Sequence, residues 1–391
     1  MMCSSRRRRI ANSGFRFGRP AFASQGPHDI VEEVTERRVN VCRIFLSANK
    51  FEGLRMMRPC YSKYSEPAMP LNDAYLAGVV FLRGLSMEYE KPFLTFDEQA
   101  DLLARRGLVF DRDVLIPHLK DVGYYRLSGY WYPFKQEDDT FIPDTKFETV
   151  WNNYTFDRQF RLIVLDAIER VEIFMRTQLA YHLASSHGAF GYREKANLPS
   201  LQGGEYHKLI NRLATSYDRS KEQFVEHFRD KYGDVHDMPP YWMLVNVIDF
   251  GTMLTLYKSA PQTIKKTISA ELGVPEPILE SWLMTLNTVR NACAHHARLW
   301  NKRLGVRPKI PRKRKYPEWH EPYEISGDKM FGVLTILSYL LERIAPETRW
   351  RNRLFELLAS RSQEEMSAMG FAAGWRMCPI WNKHVPNDLF K

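Results

Sequence analysis

Residues 154–182 read YTFDRQFRLIVLDAIERVEIFMRTQLAYH, and this stretch decides the fold class. Phe156, Phe160, Ile163, Ala167, Val171, Phe174 and Gln178 recur at steps of three and four, and only the last is polar. That is the period of one face of an α-helix, not the alternation of a strand. Asp157/Arg161, Asp166/Arg170 and Glu172/Arg176 are acid-before-base pairs four apart, the orientation that supports a helix. They lie off the apolar stripe, and the simplest reading makes most of them a salt-bridged face in water.

Helix signals continue on both sides. Thr95 and Glu98 have the spacing of a capping box, and Gly107 suits a helix stop. A short helix is expected to follow Asp111 and end near Gly123. Downstream, the pattern predicts helices over 206–216, 221–232, 241–257, 276–295, 329–344 and 350–360. Gly233, Pro239-Pro240, Pro261 and Pro275 separate them. No stretch alternates long enough for a central sheet, and no internal repeat is evident. The expected fold class is all-α, a helical bundle with additional helices.

Composition agrees with a globular protein: 391 residues, 44% hydrophobic and 26% charged. No apolar run approaches the roughly 18 residues of a membrane span. Cys3, Cys42, Cys60, Cys293 and Cys378 are odd in number and lack CxxC spacing. This argues against a disulfide framework and a zinc ribbon, and for a reducing cytoplasm. The net charge of +10 is uneven, since residues 1–86 hold 14 Lys and Arg against 7 Asp and Glu. A basic run, Arg6 to Arg9, opens that segment with no apolar secretory core behind it. Patterned sequence begins at Met87-Glu88-Tyr89. Residues 1–86 are therefore expected to be a poorly ordered extension or to precede a true start at Met87, a nucleic-acid-binding arm being a third reading. Residues 87–383 are the expected domain and 384–391 a short tail.

The residues with chemistry to offer are Arg290-Asn291-Ala292-Cys293-Ala294-His295-His296. They close a helix whose buried stripe would be Trp282, Leu286, Val289 and Cys293. Asn287, Asn291 and His295 form a second, polar stripe at four-residue steps. Asn291 is then in reach of His295 and can orient it, as a proton-transferring imidazole requires. Arg290 carries a permanent charge on a planar fork suited to phosphate. Spacing alone does not carry catalysis, because an arginine-rich chain holds such a pair by chance. Five steps of about 100° also leave Arg290 and His295 about 140° apart on a straight helix. They converge only if the helix ends between them or a second copy supplies the partner. Otherwise His295 is a C-terminal cap. Cys293, His295 and His296 make a poor zinc site, since neighbouring side chains diverge on a helix. No Gly-x4-Gly-Lys-Ser/Thr phosphate loop is present. No metal or cofactor is expected.

Two flanking segments bear on RNA. Arg298, Lys302, Arg303, Arg307, Lys309, Arg312, Lys313, Arg314 and Lys315 form a proline-interrupted basic loop, read either as RNA-binding or as a solvated linker. Upstream, residues 124–134 are dense in aromatics that can stack bases, although so many neighbours read better as core.

Taken in order, these segments resemble the Abi-like (AbiD/AbiF-type) abortive-infection family of bacteria, within the HEPN superfamily of helical ribonuclease-like domains. The resemblance runs from Lys91-Pro92-Phe93 through Gly123 to Tyr130, Phe156-Asp157-Arg158, Glu169-Arg170 and Pro239-Pro240-Tyr241-Trp242-Met243. It continues with Phe250-Gly251-Thr252, Arg290 to His296, Arg298 to Asn301, Met369-Gly370-Phe371 and Pro379-Ile380-Trp381. It implies a HEPN-like bundle and a metal-independent endoribonuclease of phage defence, cutting RNA by 2′-OH attack. Arg290 and His295 fall on the R-x4–6-H motif, with Asn291 at the polar position after the arginine. Glu172 and Arg176 match polar positions on an earlier helix facing the motif, and His296 is an auxiliary group or a structural neighbour. A homodimer pairing two motifs is also implied. Superfamily members without demonstrated cleavage leave the alternative of a non-catalytic RNA-binding module. A transcriptional regulator has no helix-turn-helix to support it. The sequence names neither the RNA target nor any silencing partner.

Overall fold

Helix α1 (Phe96–Arg105) begins where the capping box places it. The Thr95 hydroxyl accepts the Glu98 amide at 3.3 Å, and the Glu98 carboxylate accepts the Thr95 amide at 2.7 Å. The computed structural model describes Tyr89 and residues 91–383, and the expectations for 1–86 and 384–391 lie outside the described residues. Helix α2 (Arg112–Val122) starts at Asp111, whose carboxylate takes the Asp113 amide at 2.9 Å. Gly123, at φ +87°, ends it and turns the chain at once into α3 (Tyr124–Trp131). A side chain at that φ would be strained, so glycine makes the sharp corner.

The central helix is α4 (Phe147–His187), 41 residues long and so about 60 Å from end to end. It extends beyond the predicted 154–182 at both ends. Phe156, Phe160, Ala167 and Val171 are buried as the period predicts, but Val164 and Met175 are buried where Ile163 and Phe174 are only partly so. The charged pairs depart further from expectation. Asp157, Arg161 and Glu172 are buried, and only Asp166/Arg170 keeps the character of a wet face. The reason is topological: other helices pack on most of α4 and leave one stripe to water, through Asn152, Gln159, Leu162, Glu169, Ile173 and Tyr181, and Asp157, Arg161 and Glu172 fall outside that stripe.

Those other helices follow in order: α5 (Glu205–Arg219), α6 (Gln223–Tyr232), α7 (Tyr241–Val247), α8 (Phe250–Ser259), α9 (Gln262–Glu271) and α10 (Glu276–Ala294). The single helix expected over 241–257 is two, because Ile248 is extended and the Asp249 carboxylate caps α8 through the Thr252 amide at 2.8 Å. Helix α9 lies where none was predicted. The chain closes with α11 (Met330–Ile344), α12 (Trp350–Leu358), α13 (Gln363–Ala368) and α14 (Pro379–Asn382). Every residue of α11 from Met330 to Leu341 is buried, as expected of a helix apolar on all sides. α4 packs against α3, α7, α10, α11 and α12. The Trp350 indole donates to the Ile163 carbonyl at 2.8 Å, tying α12 to the middle of α4.

The described residues contain no strand, only isolated bridges between Val109 and Lys146 and between Lys135 and Phe141. The fold is all-α, as predicted. No described helix is long and apolar enough to cross a membrane. The aromatic segment on α3 divides: Tyr130 and Trp131 are core, whereas Tyr125 is 91% exposed and Tyr132 also faces solvent.

Candidate functional site

Helix α10 presents Trp282, Leu286, Val289 and Cys293 to the core, the predicted stripe. Its last helical residue is Ala294, so the helix ends between Arg290 and His295. His295 is the C-cap, and its amide donates to the Asn291 carbonyl at 2.9 Å. His296 then takes a left-handed conformation, φ +57°. The His296 amide returns to the Cys293 carbonyl at 3.1 Å and that of Ala297 to the Ala292 carbonyl at 2.8 Å. This is a Schellman closure with histidine where glycine is usual. Both imidazoles, of His295 and His296, are exposed. Asn291 is exposed too, and its link to His295 runs through the backbone. Among the described residues no hydrogen bond joins the two side chains.

Arg290 is one-third exposed, with Nε 3.7 Å from the Glu172 carboxylate on α4. The other carboxylate oxygen of Glu172 holds the Arg176 guanidinium, which also donates to the Val245 carbonyl on α7. Arg290, Glu172 and Arg176 thus form one chain of alternating charge reaching from the surface into the α4–α7 contact. Beside Arg176 a groove of about 490 Å³ opens between these helices, bordered by exposed Ile173, Tyr181 and Trp242. Cys293 lies beneath the motif, and burial pushes its thiol up to about 12. It is a neutral packing group at physiological pH, not a nucleophile. No group of three or more His, Cys, Asp or Glu side chains placed to hold a metal ion occurs among the described residues.

The basic loop goes elsewhere than sequence proximity suggests. After the motif the chain doubles back along α10. The Thr285 hydroxyl reaches the Val306 carbonyl at 3.4 Å, the Ser281 hydroxyl accepts the Lys309 amide at 2.9 Å, and the Trp282 indole donates to the Lys309 carbonyl at 2.8 Å. Lys315 borders a pocket with Pro275 and Glu276 at the opposite end of the helix. At 1.5 Å per residue, the stretch from Val306 to Lys315 therefore lies about 15–28 Å along α10 from His295. Lys302, Arg303, Arg307, Lys309, Arg312, Lys313, Arg314 and Lys315 are all exposed, with Lys313 paired to Glu321 at 3.0 Å. Arg303 and Arg307 help hold the Asp328 carboxyl below its ordinary value, after the larger effect of the Ser326 hydroxyl. Arg298 stays near the motif but is half-buried, its guanidinium donating to the Gly129 carbonyl.

Sequence reasoning missed the groups that hold the motif's exit. Arg126 on α3 donates to the His296 carbonyl at 2.8 Å. Asp157, fully buried, accepts the Tyr130 hydroxyl at 2.7 Å, Arg161 at 2.5 Å, and the amides of Leu299 at 3.1 Å and Trp300 at 2.7 Å. Burial raises the Asp157 carboxyl against the pull of these donors, and burial followed by the nearby Asp157 charge raises the Tyr130 hydroxyl, which remains a donor. One signal existed: Asp157 and Arg161 sit immediately after Phe156 and Phe160, beside the apolar stripe rather than opposite it.

Residues 117–301, which contain α3, α4, α10 and the whole motif, match the family model for Abi-like proteins. The match supports the Abi family. That family is associated with abortive infection. No curated protein and no solved structure matches this chain.

Proposed function

We propose that this Abi-like chain is a metal-independent endoribonuclease of the HEPN type, acting in abortive infection and assembled as a homodimer. The observation that carries the reading is the end of α10. Arg290 stands on the helix, backed by Glu172, while the helix stops at Ala294 and releases His295 onto the surface. In the proposed reaction the RNA 2′-OH attacks the adjacent phosphorus, and the bond to the 5′-oxygen breaks. His295 moves the proton as base or acid, and Arg290 offsets the charge developing on the phosphoryl oxygens. The products are a 2′,3′-cyclic phosphate and a 5′-OH.

A second copy is part of the proposal because each motif offers a single arginine and a single histidine. Twofold pairing beside the motif would bring two of each into one cleft. The exposed Ile173, Tyr181 and Trp242 next to Arg176 supply apolar surface continuous with that face. The basic loops, about 15–28 Å away along α10, would then hold RNA several nucleotides from the cut rather than at it.

The competing reading, an RNA-binding module without cleavage, draws on two observations: Glu172 partly neutralises Arg290, and Asn291 does not orient the His295 side chain. His295→Ala in the full chain separates the two. Loss of cutting with RNA binding retained, in EDTA as without it, supports the nuclease. Cutting unchanged by the substitution, or dependent on added Mg²⁺, refutes the mechanism.

A further inference from the structure

His295 can meet a phosphate in one orientation only if the turn that ejects it from α10 keeps one shape. That turn contains a left-handed histidine, a conformation that persists where the surroundings over-determine it. The surroundings here come from a single corner of the fold, α3 with the first third of α4. Arg126 holds the His296 carbonyl, and Gly129 accepts the Arg298 guanidinium. The Asp157 carboxylate takes two successive amides, those of Leu299 and Trp300.

We propose that Asp157 is a positioning residue, whose buried carboxylate latches the Leu299–Trp300 backbone to α4 and so fixes the turn presenting His295. A carboxylate out of water is tolerated only when donors replace its hydration. Asp157 has four such donors, and two of them come from chain four and five residues after His295, more than 140 positions away in sequence. The other two make the acceptor rigid. Arg161 holds it from one helical turn along, and Tyr130 donates its hydroxyl while its ring stacks with Trp300, 6.4 Å between centroids. Tyr130 thus ties the same loop twice, by its hydrogen bond to Asp157 and by ring contact. No atom of Asp157 is exposed. Its effect on RNA therefore passes through the loop, and it acts on the orientation of His295 rather than on affinity.

The catalytic consequence rests on the nuclease reading; the latch itself does not, and the test keeps them apart. Asp157→Asn and Tyr130→Phe are made in the full chain. Amide hydrogen exchange is followed at Leu299 and Trp300, with α11 amides as the control for folding. RNA cleavage is followed in parallel. Asp157→Asn should speed exchange of the two amides by about tenfold or more while α11 stays protected. Its kcat should fall by about 10–100-fold, the scale of a small misplacement of a reacting group, with KM within about twofold. Tyr130→Phe should give the same pattern with a smaller change. Wild-type protection at Leu299 and Trp300 in folded Asp157→Asn overturns the latch, as does a raised KM with kcat intact. Should Asp157→Asn not fold, unchanged protection in Tyr130→Phe overturns it instead. A wild-type chain that cuts no RNA refutes the nuclease, and the exchange result then decides the latch alone.

Discussion

Replacing His296 with glycine should make this protein more stable. His296 is where the backbone turns left-handed to close α10, at φ +57°. For an L-residue that conformation costs about 1–2 kcal/mol, because Cβ crowds the following carbonyl. Glycine escapes the crowding but gives the unfolded chain extra freedom worth about 0.4–1 kcal/mol. The difference leaves His296→Gly ahead of wild type by about 0.5–1 kcal/mol, or roughly 1–3 °C in Tm for a domain of this size. The imidazole is exposed, and no hydrogen bond from its ring is made among the described residues, so little is lost with it. The Arg126 bond is to the His296 carbonyl and survives the change. His296→Ala keeps a Cβ in the same conformation and should gain nothing, so the pair isolates the backbone effect. Urea titrations of the three proteins, compared at equal m, measure it. Glycine less stable than alanine at this position would refute the reasoning. Cleavage by the same variants tests the side chain: wild-type turnover in both leaves His296 a turn residue, and loss in both gives it a part in the chemistry.

Glu172→Ala should cost about 3 kcal/mol, because it strands Arg176 in a nearly buried site beside Arg290; a loss under about 0.5 kcal/mol in denaturant titration would mean that water replaces the carboxylate. Arg290→Lys should lower cleavage by about 100-fold or more, since an ammonium cannot present two parallel donors to phosphate. Near-wild-type turnover would make Arg290 a structural partner of Glu172. Burial holds the Cys293 thiol at about 12, so at about pH 8 it is almost wholly protonated. Peptide mapping after iodoacetamide treatment should find Cys293 unlabelled in the native chain and labelled once denatured, and rapid native labelling would contradict the buried, neutral thiol.

The sequence by itself determined what depends on neighbours along the chain. The three-and-four period of residues 156–178 made α4 a helix, Thr95 with Glu98 placed the start of α1, and Gly123 placed the end of α2, while the helix α3 that follows it was not legible. The buried stripe Trp282, Leu286, Val289 and Cys293 was legible for the same reason, and with it the position of Arg290 near the end of α10. Tertiary structure alone decided which charges are wet. Asp157/Arg161 and Asp166/Arg170 have the same spacing and order, yet the first pair is sealed under the Leu299–Trp300 loop and the second is partly exposed. An i, i+4 pair specifies a helix surface but not what comes to cover it. The basic loop shows the same limit in reverse: it follows the motif directly in sequence, yet it is carried back along α10 because Thr285, Trp282 and Ser281 hold its backbone there. Hydrogen bonds between segments far apart in sequence settle such placements, and nothing in the local pattern of either segment encodes its partner.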